Sequence, residues 1–188
     1  LGAADRLVAR SHECDFPPEV LHLPAVTSPK LDITRPSGAI DAQVKELLEQ
    51  ALSVYRVDAD RLQALSPDVI VTQTQCEVCA VSLSDVEAAL TQWVGTRPRV
   101  VSLSPNALAD VMADIMRVAD ALDRPKQGEA VVAALETRMK SIATRAAALP
   151  RPRVAAIEWI EPLMAAGNWV PELIAMAGGN NLFGAAGK

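Results

Sequence analysis

Aromatic residues are scarce in this chain: two Phe, three Trp and one Tyr among 188 residues, with only two His beside them. Each aromatic or imidazole outside a regular element is therefore a conspicuous candidate for a contact. Basic clusters are missing as well. A net charge of −5 and a pI near 5.1, with no run of Lys or Arg, exclude a nucleic-acid partner, because such partners need a basic surface to displace condensed counterions. No apolar run approaches the roughly 20 residues that span a bilayer, so no transmembrane segment is expected. Three cysteines are too few, and odd in number, for a disulfide framework; at least one thiol stays unpaired within the chain, and the compartment stays open. Leu1 is neither an initiator nor the start of a signal peptide, so a preceding segment is expected to have been lost, and any targeting signal with it. GxGxxG and GxxxxGK[ST] are both absent, and no nucleophile and base stand at a recognisable spacing, so no enzyme reading emerges.

What is present is half hydrophobic and long enough to bury a core. LVARSHE, at residues 7–13, reads as a short buried strand running out into a loop. Pro17, Pro18, Pro24, Pro29 and Pro36 then predict extended loop over residues 16–38, closed by Gly38. From Asp41, a plausible N-cap, Val44, Leu47, Leu48, Ala51 and Leu52 recur at helical spacing. Asp58 to Leu65 is a second, shorter helix, and Ser66-Pro67-Asp68 turns the chain into VIV at 69–71, read as a buried strand.

After QTQCEVCAVS, Ser82 or Ser84 caps a helix carrying Val86, Leu90 and Trp93, with Gly95 as its stop and RVVSL from Arg99 as the next strand. Trp93 continues that helix's apolar face and reads as core. Helices are expected at 106–122 and 126–149, divided by Asp123-Arg124-Pro125 and ended by Pro150 and Pro152. VAAIEW from Val154 is a further strand, EPLMAAGN a loop, and PELIAMAGG a short helix with Pro171 in its first turn. The alternation predicts an α/β fold: a Rossmann-like lobe with a parallel sheet, a long connecting helix, and the start of a second α/β lobe. Function in such sheets gathers at the carboxyl ends of strands.

Two loops at such ends carry the chemistry. His12 and Cys14 follow one apolar run; Cys76 and Cys79 follow another. Loops leaving neighbouring parallel strands can bring an imidazole and thiolates into one tetrahedral set, suited to zinc or another soft-ligand metal. The alternatives are a disulfide, buried inert thiols, a histidine satisfied by the backbone, or a dithiol redox site at CEVC, although the second thiol lies several residues ahead of the helix. Glu13, Gln73, Gln75 and Glu77 are polar groups at the same rim, able to hydrogen-bond a ligand.

The runs DFPPEVLHLPAV, LQALSPDVIVTQ and IEWIEPLMAAGNWVPELIAMAGG, with SHECD and QCEVCAVS, resemble the cobalamin-type, helical-backbone (class III) periplasmic substrate-binding proteins of ABC transporters. The resemblance covers nearly the whole chain. It implies an N-terminal lobe over residues 1–125 lacking its first strand, a bridging helix at 126–149, and an incomplete C-terminal lobe at 150–188, so that the chain reads as a fragment. It implies a ligand held between the lobes, cobalamin or a related corrinoid, with heme or a ferric siderophore next, and no enzyme cofactor. Phe16 falls where the family places an aromatic beside the cleft; Trp159 and Trp169, at a strand end and a helix mouth, face it from the second lobe. An ABC permease is the implied partner, met by acidic residues of which Asp85 and Glu87 are nearest, and the implied location is periplasmic or otherwise outside the cytoplasm.

Overall fold

A strand, a helix and a second strand in parallel register are the part of the fold that the hydrophobic pattern anticipates most closely. The computed structural model describes residues 1–50, 53–75, 81–91 and 93–188, which form two compact units: Gly2–Leu103, and Leu1 with Ser104–Lys188.

In the first unit, β3 (Val69–Gln73) runs parallel to β4 (Arg99–Leu103), with Val69 opposite Arg99 and Gln73 opposite Leu103. Between them comes α3 (Leu83–Ala89). Its N-terminus is a capping box: Ser82 Oγ accepts from the Asp85 amide, and Asp85 Oδ2 accepts from the Ser82 amide, so two of the orphan donors of a helix start are satisfied. Ser53 Oγ donates to the same carboxylate at 2.8 Å and ties the segment before Tyr55 to this helix. The core collects Val54, Tyr55, Val81, Val86 and Leu90, with Ile70, Val100, Val44 and Trp93 packed against it.

Several expectations for this unit need correction. Residues 7–10 form no strand: Arg10 makes a single parallel bridge to Ala25, and Leu7 and Val8 are exposed. The prolines do exclude an α-helix before residue 37, but the stretch is not all loop. It holds a 3-10 turn at Pro18–His22 and a short strand, β1 (Thr27–Pro29), paired antiparallel with β2 (Tyr55–Val57), which periodicity had not revealed. Helix α1 (Ser37–Glu49) starts four residues ahead of Asp41. Pro36 stands at its N-cap and its carbonyl accepts from the Ala39 and Ile40 amides, while Asp41 pairs with Lys45 at 2.7 Å one turn on. Helix α2 (Ala59–Leu65) is as read, with Asp58 accepting from the Arg61 amide as its cap. Strand β3 is not fully buried: Ile70 faces the core while Val71, pointing to the opposite face of a two-stranded sheet, is 47% exposed. Helix α3 ends at Ala89, with Leu90 as its C-cap, rather than at Gly95, so Trp93 joins the core from outside it, its Nε1 donating to the Thr96 carbonyl.

The second unit holds α4 (Leu108–Ala121) and α5 (Pro125–Ala146), close to their expected bounds, with Pro125 in the first turn of α5 where its missing amide hydrogen costs nothing. VAAIEW does not form one strand. It splits into β5 (Arg153–Val154) and β6 (Ile157–Trp159), which pair with different partners. β6 turns back through residues expected to be loop into β7 (Met164–Ala165), making an antiparallel hairpin; β5 lies parallel to β8 (Asn180–Asn181). Helix α6 (Val170–Met176) ends in a Schellman motif: Gly178, at φ +83°, donates to the Ala175 carbonyl and Gly179 to that of Ile174. Helix α6 packs against α5, and Glu172 on it accepts a hydrogen bond at 2.8 Å from the Leu108 amide at the start of α4.

Candidate functional site

Residues 11–14 of the SHECD motif close into a tight turn. The Cys14 amide donates to the Ser11 carbonyl at 3.2 Å, and the Glu13 amide to Ser11 Oγ at 3.3 Å. His12 is held more firmly. Its amide donates to Thr27 Oγ1 at 2.9 Å, and its Nδ1 lies 2.7 Å from the same oxygen. The second ring nitrogen, Nε2, stands 3.8 Å from Glu13 Oε1. The imidazole, 16% exposed, tilts at 45° against the ring of Tyr55, 5.4 Å away. Tyr55 is buried, and its phenol is pushed above the ordinary value first by that burial and then by the charge on Glu13. His12 is thus braced between β1 and β2, whereas Glu13 and Cys14 are exposed.

Phe16, two residues beyond the turn, is 84% exposed. An aromatic ring left in water by a chain with six aromatics is a costly feature unless something covers it. Gln73 closes β3 opposite Leu103, and Gln75 lies half-buried just beyond it. Cys76, Glu77 and Cys79 lie outside the described residues. The strand at 7–10 on which a meeting of the two cysteine loops was expected does not form, and among the described residues no three His, Cys, Asp or Glu side chains are grouped to hold a metal.

An open cavity of about 540 Å³ adjoins the turn through Thr27; Ser28, Arg56, Asp58 and Arg61 line its polar wall. Sequence patterning does not reveal it, because its walls come from β1, β2 and the start of α2. Asp85 is not free to meet a partner, since its carboxylate is committed to Ser82 and Ser53; Glu87 is exposed.

In the second unit both expected tryptophans are half-buried. Trp159 ends β6 and donates from Nε1 to the Glu161 carbonyl at 2.7 Å; Trp169 is the N-cap of α6, its carbonyl accepting from the Leu173 amide. The β6–β7 hairpin between them presents Ile160 and Leu163, 75% and 71% exposed, at its tip. A loop reading hid this apolar tip. A second cavity, of about 370 Å³, opens between α4, α5 and α6, with Met112, Met139 and Met176 on its walls.

A family model described as "Periplasmic binding protein" matches residues 1–188. The chain belongs to that family. Solved structures of the same fold include the periplasmic vitamin B12 binding protein BtuF of Vibrio cholerae, at a TM-score of 0.62 and 19% identity, aligned over 97% of this chain and 60% of that one. The periplasmic heme-binding protein RhuT from Roseiflexus sp. RS-1 aligns at a TM-score of 0.66 and 22% identity, over 96% of this chain and 59% of that one. A periplasmic heme binding protein from Pseudomonas aeruginosa aligns at 0.66 and 19%, over 98% and 58%. This member of the family therefore spans about three-fifths of the length of those structures. No curated protein matches it.

Proposed function

We propose that the chain is part of the substrate-binding component of an ABC importer, working outside the cytoplasm and taking cobalamin or a related corrinoid into a gap between two lobes. On this reading residues 1–125 supply one lobe, 126–149 a stiff strut, and 150–188 the opening of the other. The observation that carries it is Phe16: a largely exposed ring two residues beyond a braced turn, in a chain that belongs to the periplasmic binding protein family, is suited to stacking on a flat macrocycle. His12, Glu13, Gln75 and Glu77 are the polar contacts on that side, Trp159 and Trp169 the aromatic ones on the other.

Heme is the second reading, supported by the two heme-binding proteins among the neighbours, and a ferric siderophore the third. A permease is the partner, and the exposed Glu87 is the better of the two acidic candidates for its docking, because Asp85 is already bonded. Zinc at His12, Cys14, Cys76 and Cys79 is the competing use of the cysteine loops.

Titration of the chain with cyanocobalamin, hemin and zinc, followed by tryptophan quenching and metal analysis, separates these readings. Corrinoid quenching is expected, weakened about tenfold by Phe16→Ala, in line with the ~1.4 kcal/mol that one stacked ring contributes, and largely removed by Trp159→Ala. Hemin uptake without corrinoid uptake selects the second reading. Stoichiometric zinc that Cys76→Ser abolishes, with neither macrocycle bound, rejects the transport ligand in favour of the metal.

A further inference from the structure

Arg10 sits just ahead of the SHECD turn, and both ends of its backbone are fixed: its amide donates to the Pro24 carbonyl at 3.1 Å, and its carbonyl accepts from the Val26 amide at 3.0 Å. From this anchored position its side chain folds over the turn. One guanidinium nitrogen, Nη1, donates to three backbone carbonyls, those of Ser11 at 3.0 Å, His12 at 3.3 Å and Cys14 at 3.2 Å. Three carbonyl dipoles converging on one point repel each other, and a cation at their focus offsets that repulsion. The Nε of the same guanidinium is buried without a hydrogen-bond partner. That unsatisfied donor is costly, and the side chain accepts it in order to place Nη1 among the carbonyls.

We propose that Arg10 is a positioning residue for ligand capture: as a built-in cation it holds the Ser11–Cys14 turn in the one shape that presents Glu13 outward and carries Phe16 into solvent. The turn's own side-chain bonds are two long ones of Ser11 Oγ, from the Glu13 amide at 3.3 Å and to Cys14 Sγ at 3.5 Å. Only one bond, from the Cys14 amide to the Ser11 carbonyl, is backbone to backbone within residues 11–14, and the carbonyl it uses is one of those Arg10 holds. The ligand part of the inference rests on the proposed function; the part concerning the turn does not.

The test compares the chain with Arg10→Met, which keeps bulk without charge, and Arg10→Lys, whose ammonium has three donors for three carbonyls. Peptide-resolved hydrogen exchange reads the turn, and titration with cyanocobalamin and with hemin reads capture. Arg10→Met is expected to speed exchange at residues 11–16 at least tenfold while exchange across β4 stays within twofold, and to weaken whichever macrocycle binds at least tenfold. Arg10→Lys is expected to recover most of both. Exchange at 11–16 unchanged in Arg10→Met overturns the bracing role, and faster exchange with unchanged affinity overturns the positioning role. If Arg10→Met fails to fold, Arg10→Lys and Arg10→Gln are compared in the same two measurements, and equal behaviour of the two overturns the proposal. Wild-type chain that takes up neither macrocycle rejects the proposed function, while the exchange arm still decides whether Arg10 holds the turn.

Discussion

Asp114, on α4, is buried, and neither carboxylate oxygen has a hydrogen-bond partner; Arg117 Nη1 stands 2.9 Å from Oδ1 as an ion pair from a half-exposed position. Burial pushes the carboxyl above its ordinary value, against the opposing pull of Arg117 and with a smaller push from Asp110. An acid whose folded-state value is raised binds more protons folded than unfolded, so its contribution to stability falls as pH rises from the ordinary carboxylate value through the raised one. Asp114→Asn removes that dependence. The variant is expected to gain stability relative to the parent as pH rises from the ordinary carboxylate range through the raised value, and to melt above the parent at pH 7. Thermal melts across that range check it; a variant less stable at pH 7 puts the Arg117 pair ahead of burial. Asp32 and Asp110 act with the opposite sign. Bonds from the Thr34 side chain and amide to the first, and from the Asn106 and Ala107 amides to the second, hold both carboxyls below their usual range, so whatever they contribute fades as pH falls.

Among the elements, α4 and α5 show how closely two helices approach when small residues face each other. A Cβ on Gly128 of α5 meets Ala119 Cβ at 2.6 Å and Met116 Sδ at 3.0 Å, and Ala119 is fully buried. Replacing a helical glycine gains up to about 1 kcal/mol of propensity, but overpacking a rigid contact costs roughly 1–3 kcal/mol, and a methyl on a backbone-bound carbon has little room to give. Gly128→Val is therefore expected to lower stability by about 2 kcal/mol in urea unfolding with an unchanged m-value. A neutral result means that the helices separate freely. The long helices were legible because their 3.6-residue periodicity runs over several turns and prolines mark their ends. Most of the two- and three-residue strands were not: β1, β2, β7 and β8 are shorter than any window in which alternation can be counted, and β7 lay inside a segment rich in loop residues.

At the scale of the whole chain the charge balance is acidic, and among the described residues no helix is long and apolar enough to cross a membrane. The exposed apolar residues do not follow from composition. Ile160 and Leu163 at the hairpin tip contribute nothing to a core, so Ile160→Ser with Leu163→Ser is expected to leave the melting temperature within about 1 °C, since exposed changes stay within ±0.5 kcal/mol. The same pair is expected to lower binding of a hydrophobic dye. A drop of several degrees instead shows that the tip is packed. Amino-acid order alone was enough for the α/β class, the parallel β3–β4 unit, a serine cap at Ser82 or Ser84 and the two long helices, because caps and periodicity act between residues a few positions apart. Folding in three dimensions was needed to set His12 against Thr27 and Tyr55, to turn Arg10 onto three carbonyls, to commit Asp85 to Ser53 and to leave Phe16 in solvent. Those outcomes depend on which distant segment lies alongside: even Arg10, whose three carbonyls are near in sequence, is anchored through its backbone to Pro24 and Val26, and no local preference of the chain specifies that neighbour.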